Sequence, residues 1–220
     1  MKTTLPRIPH LPGSRRGHDD LTVAPAALRS FLELPVVVVE KMDGIGLTIA
    51  SDDYGELDVA MKTDWRRALG GRVLRAARRW LRVHRRALAP LAADGQQIYA
   101  EWLLHRLVLP YDRLPAAIIF HSLADRSGRL LPRDQANRLF AKHDLAWIAP
   151  HFRGVIGRRP LSSLILRRSQ LGRCRSEGII VEATGPDGPC WAKWVAPHYR
   201  QPTGKDLAGV ENAVLEVLHR

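Results

Sequence analysis

Cysteine is scarce in this sequence: Cys174 and Cys190 are the only two among 220 residues. Two thiols are too few for a disulfide framework or for a four-ligand zinc site. Neither has a histidine or a second cysteine at ligand spacing, so we treat both as small apolar residues. This usage is consistent with a reducing compartment, and we expect a cytoplasmic protein.

Long hydrophobic runs are also missing. No apolar stretch approaches the roughly 20 residues that a membrane-spanning helix needs. The opening residues, MKTTLPRIPHLPGSRRGHDD, lack the apolar segment of a secretory signal. We therefore expect no membrane partner.

Two common nucleotide-binding signatures are absent. There is no G-x-x-x-x-G-K-[ST] loop, which excludes a P-loop NTPase at the level of motifs. DGIGLT contains one G-x-G but lacks a third glycine and a following helix, which argues against a dinucleotide-binding turn. His18, Asp19 and Asp20 could touch a metal ion, but an exposed turn or capping role fits them better.

Acidic residues are few relative to basic ones. The chain has 34 Lys and Arg against 22 Asp and Glu, a net charge of +12, and most of the bases are arginine. Such a field favours polyanions, because each neutralised phosphate releases condensed counterions. Nucleic acid is therefore the leading partner class.

The densest basic run is WRRALGGRVLRAARRWLRVHRRALAPL, whose apolar spacing predicts a helix that Pro90 ends. Arginines fill the rest of its surface between residues 72 and 88. They form either a solvated helix face or a ridge that tracks a phosphate backbone. The sequence leaves both interpretations open.

Short apolar or alternating runs separated by turns dominate the chain after about residue 30. They predict strands over VVVVEK, GLTIAS, ELDVAMK, QIYAEWLL, AAIIFHSLAD, EGIIVEAT and PCWAKWVAP. RDQANRLFAKH and the C-terminal residues have helical spacing, and Pro160 could open a short helix. We expect an α+β fold with antiparallel sheets around a core. Its parts are an extended lead-in (1–30), the sheet domain (31–202) and a C-terminal helix (203–220).

The predicted strand VVVVEK ends in a lysine with carboxylates on both sides, Glu40 and Asp43. Either the strand simply surfaces there, or the sheet holds Lys41 as a nucleophile. A lysine amine attacks only when it is neutral, and a nearby cation is one way to lower its pKa. With ATP as the electrophile, attack on the α-phosphorus would give a lysyl phosphoramidate and release pyrophosphate.

Five motifs that occur in order carry a family resemblance. EKMDG resembles motif I, K-x-D-G, of the covalent nucleotidyltransferases, which include ATP-dependent RNA and DNA ligases and mRNA capping enzymes. Further along the chain, YAEWL, AAIIFHSLAD, SEGIIVEA and CWAKWVAPHYRQ resemble motifs III, IIIa, IV and V. The resemblance covers about residues 5 to 202. It implies antiparallel sheets of a nucleotidyltransferase domain (an ATP-grasp-like ligase adenylation domain) with peripheral helices.

Within this superfamily the sequence is most similar to RNA ligases related to the second phage T4 enzyme and to their small bacterial relatives. The similarity lies in Glu40 directly before Lys41, in the lead-in PHLPGS and in the ending KWVAPHYRQ. We expect no OB-fold domain, because too few residues follow position 202. NAD-dependent ligases carry an additional N-terminal module that the first 30 residues cannot build, so ATP is the expected donor.

The resemblance implies three catalytic residues. Lys41 would be the adenylylated nucleophile, and Lys193, the first lysine of motif V, would contact the α-phosphate. Asp43 would orient Lys41 or the waters bound to its metal. Read singly, a lysine on an alternating strand such as Lys193 would just point to solvent.

The resemblance also implies the contacts of ATP and of Mg²⁺ or Mn²⁺. Glu40 would contact the adenine, Phe120 would stack on it and Glu101 would hold the ribose, while Glu177 would help to bind the metal. Without the motif order, Phe120 would be read as plain core. Glu101 would be read as a surface residue of an edge strand, and Glu177 as ordinary turn chemistry.

Several positions depart from the family pattern. Val195 replaces the second lysine of motif V, Ala100 replaces a glycine, and His121 stands where an aspartate is frequent. An arginine is usual shortly after motif I, and Lys62 or Arg66 could substitute for it. A degenerate ligase with slow turnover therefore stays open.

The resemblance as a whole implies an ATP-dependent RNA ligase that joins 5′-phosphate and 3′-hydroxyl ends through a lysyl-AMP intermediate. The alternatives are an ATP-dependent DNA ligase, a capping-type guanylyltransferase and a non-catalytic nucleic-acid binding protein with the same fold. The partners would be RNA, or else DNA, ends. The arginine-rich helix or a partner protein would hold the substrate.

Overall fold

The structure is a computed structural model that describes residues 7–52, 54–61, 71–185, 188–200, 202 and 211–212. Its strands, numbered along the chain, are β1 (Pro35–Lys41), β2 (Ile45–Ser51), β3 (Leu57–Met61), β4 (Gln97–Trp102), β5 (Ile118–Ala124), β6 (Pro150–Val155), β7 (Gly178–Gly185) and β8 (Gly188–Val195). Its α-helices are α1 (Pro25–Leu32), α2 (Arg72–Val83), α3 (Arg85–Leu88) and α4 (Arg133–Lys142). Short 3₁₀ turns cover Ala89–Leu91, Ala93–Gly95 and Leu161–Leu164.

The strands form two four-stranded sheets in which all neighbouring pairs are antiparallel. The first sheet has the order β6-β1-β7-β8, and the second has the order β3-β2-β4-β5. This confirms the α+β class expected from the sequence. The described residues contain no third sheet and no OB-fold barrel.

The valine run of β1 occupies a central position in the first sheet, between β6 and β7. Val38 and Val39 are 0% and 2% exposed, as suits β-branched residues on a strand that is covered on both faces. Val39 packs with Ile119 of β5 between the two sheets. The end of β1, including Lys41, is therefore held by rigid structure on either side.

The arginine-rich segment is helical, as predicted, but it is not one helix. α2 ends at Val83, His84 has non-helical angles (φ −97°, ψ 13°) and α3 begins at Arg85. The imidazole of His84 stacks on the indole of Trp80 at 3.7 Å between ring centroids. Val83, the last residue of α2, is 77% exposed. Residues 65–70, which open the quoted run, lie outside the described part.

Other expectations need correction at the edges of the fold. The lead-in is not extended throughout, since α1 begins at Pro25, a favoured first helical residue. The strand β6 has no clear signal in the sequence, because proline and glycine interrupt it. It lies at the edge of its sheet, where a proline at the first position is tolerated.

The expected C-terminal helix and the substitutes Lys62 and Arg66 fall outside the described residues, apart from Glu211 and Asn212. Asn212 is buried, accepts a hydrogen bond from the backbone N–H of Tyr111 and donates one to the carbonyl of Leu103. Among the described helices, none has the length and apolar character needed to cross a membrane.

Candidate active site

A cavity of about 260 Å³ lies between the two sheets. The first sheet contributes residues of β1, β7 and β8 to its wall, and the second contributes residues of β4 and β5. Its ionisable lining residues from these strands and from α4 are Glu40, Lys41, Glu101, His121, Arg133 and Lys193. Most of the residues that the sequence singled out therefore meet in one place.

Lys41 is the last residue of β1, and its side chain reaches the cavity. Its Nζ lies 2.7 Å from Oε1 of Glu177, the residue just before β7. The pairing of Lys41 with Gly178 in the β1–β7 ladder brings the two side chains together. Lys41 is 25% exposed and lines the cavity, whereas Glu177 is only 5% exposed and is not a lining residue.

Two glycines of the quoted motifs are explained by close packing around this pair. A Cβ on Gly178 would lie 2.2 Å from the backbone oxygen of Trp194 on β8. A Cβ on Gly44, the glycine of K-x-D-G, would lie 2.6 Å from a methyl carbon of Leu103 and 3.1 Å from Oε2 of Glu101. At Gly178 the backbone of β8 occupies the place of a side chain, so the position needs glycine; at Gly44 the space is filled by the Leu103 and Glu101 side chains and by the backbone oxygen of Trp102 at 3.1 Å.

The charges around Lys41 favour its protonated form. Burial by itself lowers the pKa of this amine, but Glu177, Glu101 and Asp43 together raise the pKa above the ordinary lysine value. Burial also raises the pKa of Glu177 to about 7. A neighbouring cation would lower the pKa of Lys41, but among the described residues the acidic neighbours dominate.

Lys193 extends from β8 into the same cavity. Its backbone pairs with Ile180 on β7, and its Nζ lies 3.6 Å from Oδ1 of Asp20. Val195, which replaces the second lysine of motif V, is 1% exposed and packs in the core of the first sheet. That position is therefore structural here.

Asp43 is buried and fully engaged in hydrogen bonds. Its Oδ2 accepts from the backbone N–H groups of Val108 (2.8 Å) and Leu109 (2.6 Å), and its Oδ1 accepts from the hydroxyl of Tyr199 (2.6 Å). Its own N–H donates to the Tyr111 hydroxyl at 2.8 Å. These contacts fix the turn that follows Lys41, and the carboxylate does not line the cavity.

Glu40 is 1% exposed, yet it reaches the cavity wall. Its Oε2 accepts a hydrogen bond from the backbone N–H of Gln170, while Oε1 has no partner among the described residues. Burial raises the pKa of this carboxyl, although the contacts with Ser169 and Gln170 oppose the shift. A buried acceptor without a donor is costly to fold, and a ligand could satisfy it.

Glu101 lies on β4, on the face of the second sheet that looks toward the first. It pairs across the ladders with Gly46 of β2 and with Ile119 of β5. The small Gly46 leaves room for the carboxylate, whose Oε1 would be 3.9 Å from a Cβ placed there. Glu101 is therefore a cavity residue rather than a surface residue of an edge strand.

The structure corrects the expectation for Phe120. This ring is 1% exposed and packs between Trp80 and Phe140, at 6.0 and 5.5 Å between centroids, beneath the helices. It does not line the cavity. Side chains alternate between faces along β5, so the next residue, His121, is the one that faces the cavity. Phe120 therefore packs in the core of the second sheet and not against the cavity.

Several cavity residues were not predicted from the sequence. His121 and Trp191 supply rings to the lining, and Arg133 at the start of α4 lies over the Trp191 ring at 4.9 Å. Arg133 is 2% exposed and ion-paired with Glu182, at 3.4 Å between Nε and Oε2. Burial, Arg133 and Lys41 lower the pKa of His121 to about 3, so its imidazole is neutral near pH 7. Only the substitution at His121 had drawn notice from the motif pattern.

One carboxylate of this site, that of Glu177, has an oxygen available to bind a divalent metal. Oε2 of Glu177 is buried without a hydrogen-bond partner among the described residues, whereas Oε1 faces Lys41. No cluster of three or more His, Cys, Asp or Glu residues able to hold a metal occurs in the described part of the chain. Mg²⁺ is commonly held by one or two carboxylates together with substrate phosphates and water, which suits a site with a single donor.

His18 and Asp19 do not form a metal cluster with Asp20. His18 Nδ1 and Asp19 Oδ1 are 2.9 Å apart, and their side chains are 100% and 87% exposed. Asp20 instead turns to the cavity and pairs with His10 and Lys193. The exposed turn expected from the sequence fits the first two residues only.

Comparison with known proteins agrees with this geometry. Residues 34–195 match the family model described as RNA ligase. None of the curated proteins matches the sequence. Among solved structures, an archaeal ATP-dependent RNA ligase matches with a TM-score of 0.52 and 18% identity, covering 79% of this chain and 45% of that one.

Two further structures illustrate the range of matches. A Naegleria gruberi RNA ligase variant with ATP and Mn matches with a TM-score of 0.60 and 11% identity, covering 88% of this chain and 61% of that one. A putative ATP-dependent DNA ligase from Aquifex aeolicus matches with a TM-score of 0.51 and 16% identity, covering 78% and 46%. The chain spans about half the length of these proteins, and at such identities the likeness concerns the fold.

Proposed function

From the premise that this chain belongs to the RNA ligase family, we propose that it is an ATP-dependent RNA ligase that works through a covalent Lys41–AMP intermediate. One observation carries the proposal: the Nζ of Lys41, 2.7 Å from a buried carboxylate, opens onto a cavity that it shares with Lys193 and Glu101. A lysine that β1 directs into a cavity between the two sheets is suited to attack a bound phosphate.

In the first step, Nζ of Lys41 attacks the α-phosphorus of ATP and the bond to the β-phosphate oxygen breaks. Pyrophosphate leaves, and the phosphoramidate retains AMP on the enzyme. Lys193 contacts the α-phosphate and offsets the charge that develops on its oxygens. This is the role that the family resemblance implies for Lys193, the first lysine of motif V.

The amine must lose a proton before it can attack. Glu177 Oε1, 2.7 Å from Nζ, is the nearest acceptor for that proton. Oε2 of Glu177 would hold Mg²⁺ or Mn²⁺ together with phosphate oxygens. The metal, when bound, supplies positive charge that neutralises the phosphates and weakens the hold of Glu177 on the protonated amine.

The remaining cavity residues would bind the nucleoside. Glu40 Oε1 can accept a hydrogen bond from the adenine amine, and Glu101 can accept hydrogen bonds from the ribose. His121, rather than Phe120, offers a neutral ring to the base. Asp43 acts at one remove, as a positioning residue that fixes the turn after Lys41.

Two further steps complete the reaction. An oxygen of a 5′-phosphate end attacks the phosphorus of Lys41–AMP, which releases the lysine and gives an adenylylated end. A 3′-hydroxyl then attacks the 5′-phosphate and AMP leaves. Exposed arginines of α2 and α3, or a partner protein in the cytoplasm, would hold the strands during these steps.

Incubation with α-labelled ATP and Mg²⁺, followed by mapping of the labelled peptide, tests the first step. We expect a label that maps to Lys41 and that transfers to 5′-phosphorylated RNA on addition of RNA ends. Parallel arms with labelled GTP and with DNA ends separate the alternatives. Labelling by GTP alone would indicate a capping-type enzyme, transfer to DNA alone a DNA ligase, and RNA binding without any label a non-catalytic protein.

A further inference from the structure

The N-terminal segment, residues 7–23, lies along the free edge of the first sheet, beside β8. The backbone N–H of Lys193 donates to the carbonyl of Pro9 (2.9 Å), and the N–H of Leu11 donates to the carbonyl of Lys193 (2.8 Å). His10 forms parallel bridges to Lys193 on one side and to Thr22 on the other. The segment therefore flanks the lysine expected to contact the α-phosphate.

A chain of polar contacts runs through this segment to the cavity. The N–H of Val195 donates to Ser14 Oγ (2.8 Å), and Ser14 Oγ lies 2.6 Å from Nδ1 of His10. Nε2 of His10 lies 3.2 Å from Oδ2 of Asp20, and Oδ1 of Asp20 lies 3.6 Å from Nζ of Lys193. The chain thus ends on the ammonium group in the cavity.

The protonation states suit this chain. His10 is 2% exposed, and burial together with Lys193 lowers its pKa to about 4, so the imidazole is neutral near pH 7. If Nδ1 accepts from the Ser14 hydroxyl, the imidazole hydrogen lies on Nε2, which is buried 3.2 Å from Asp20 Oδ2 but outside hydrogen-bond geometry among the described residues. Burial of Asp20 opposes its ionisation, but the Gly17 N–H and Lys193 hold the pKa of Asp20 below its usual value.

Asp20 does not depend on Lys193 for its place. The backbone N–H of Gly17 donates to its Oδ2 at 2.8 Å, and His10 lies against the same oxygen. Asp20 is 25% exposed and lines the cavity itself. Because Asp20 is anchored by its own segment, it can hold the flexible Lys193 side chain in place when a nucleotide binds. It does not move together with that side chain.

We propose that Ser14, His10 and Asp20 form a positioning relay for the Lys193 ammonium, so that the N-terminal segment is part of the nucleotide site. The inference rests on the proposed function, because it assigns the relay to the same phosphate-binding lysine. A lysine carries several rotatable bonds, and displacement of a group from its productive geometry by about 1 Å can cost on the order of 100-fold in rate.

Asp20→Asn tests the relay, because it removes the charge and keeps the shape. Removal of a negative charge beside a polyphosphate should leave the KM for ATP unchanged or lower it. Loss of positioning should reduce the kcat of self-adenylylation by about 10- to 100-fold. A variant with lower KM and an unchanged or higher kcat would overturn the proposal, because Asp20 would then only occupy the phosphate site.

Two further variants keep this test sharp. Ser14→Ala removes the hydroxyl that orients His10 while every charge stays, and we expect a kcat loss in the same direction and of several-fold. Asp19→Asn is the matched control, since that side chain is 87% exposed and pairs with His18. Equal losses in Asp19→Asn and Asp20→Asn would mean that the segment acts only as a whole, which contradicts the relay.

A readout that needs no activity separates this inference from the proposed function. In ¹H–¹⁵N spectra of lysine ammonium groups, the Lys193 signal should be sharp in the wild type and lost or broadened in Asp20→Asn. A signal that is identical in both proteins would overturn the relay. Failure of the wild type to take AMP, with the spectral change present, would instead count against the proposed function alone.

Discussion

The cavity between the sheets and the arginine-rich surface of α2 and α3 differ in how their charges are satisfied. At the cavity, one buried oxygen of the lining residue Glu40 and one of Glu177, which pairs with the lining residue Lys41, have no hydrogen-bond partner among the described residues. On the helices, Arg78 and Arg85 pair with Asp58 and Glu56 at 2.8 to 2.9 Å while remaining half exposed.

The difference indicates where specific chemistry resides. Buried unsatisfied oxygens cost folding free energy, so a site that keeps them gains something from a ligand. Exposed ion pairs contribute little stability, and exposed arginines outside such pairs add mainly to the positive field. The cavity is therefore the place to test catalysis, and the helical surface is the place to test affinity for polyanions.

Lys41→Ala should have the largest effect on the cavity side of this comparison. We expect the AMP adduct to fall to background, because no other nucleophile replaces the amine. RNA binding should remain nearly intact, since one lysine is a small part of a net charge of +12. Adduct formation and a filter-binding or anisotropy assay on the same preparation measure both. Full labelling of Lys41→Ala would refute the assignment of the nucleophile.

Phe120 and His121 sharpen the comparison within a single strand. Phe120→Ala should lower the free energy of unfolding by about 3–5 kcal/mol, because it opens a cavity in the core under α2 and α4. His121→Ala should change stability by about 1 kcal/mol or less and raise the KM for ATP. Denaturant titrations and adenylylation kinetics test the pair. The reverse outcome would return the stacking role to Phe120.

The pH dependence of stability probes the buried His10. The pKa of His10 is lowered from 6.5 to about 4 in the folded state. The stability that the neutral imidazole contributes is therefore complete above pH 6.5, decreases below that pH and is lost as the pH falls through 4. We expect this residue to account for about 2 kcal/mol of lost stability between pH 7 and pH 5. Urea titrations of the wild type and of His10→Gln at both pH values isolate its share. If the wild type and His10→Gln lost the same unfolding free energy between pH 7 and pH 5, the assignment to His10 would be contradicted.

The smallest expected effect is on the helical surface. Arg79, Arg82 and Arg86 are exposed and have no carboxylate partner among the described residues. Changing all three to Ala should weaken end-joining several-fold and reduce the salt slope of RNA binding by about 2, while self-adenylylation is unchanged. The double variant Arg78→Ala and Arg85→Ala is the control, because those charges are already paired. Loss of adenylylation in the triple variant would mean that this surface is structural.

Much of the fold was predictable from local pattern. The valines of β1 and the alternation in β4, β5, β7 and β8 predicted strands that the structure confirms. The strand β6 was missed, because an edge strand with proline and glycine has neither periodicity nor strong propensity. The break at His84 was missed as well, because a stacked ring pair rather than a proline or glycine marks it.

The site divides along the same line. Motif order drew attention to Lys41, Glu101 and Lys193, which line one cavity, and to Glu177, which pairs with Lys41. It was harder to assign which face of the sheet a strand residue points to. Neighbouring residues point to opposite faces, so an error of one residue exchanges Phe120 and His121. The register shift between Tyr99 and Ala100, on the neighbouring β4, is not visible in local sequence.

By itself, the sequence determined the class of fold, the order of its motifs and the position of a lysine at the end of a buried strand. Those features depend on hydrophobic periodicity and on residues close to one another along the chain. Tertiary structure alone decided that Asp20 contacts Lys193, more than 170 residues away in the chain. It also decided that the Asp43 carboxylate is fully hydrogen-bonded and that His121, not Phe120, faces the cavity. Such contacts are set by sheet register and long-range packing, which cannot be predicted from local propensity.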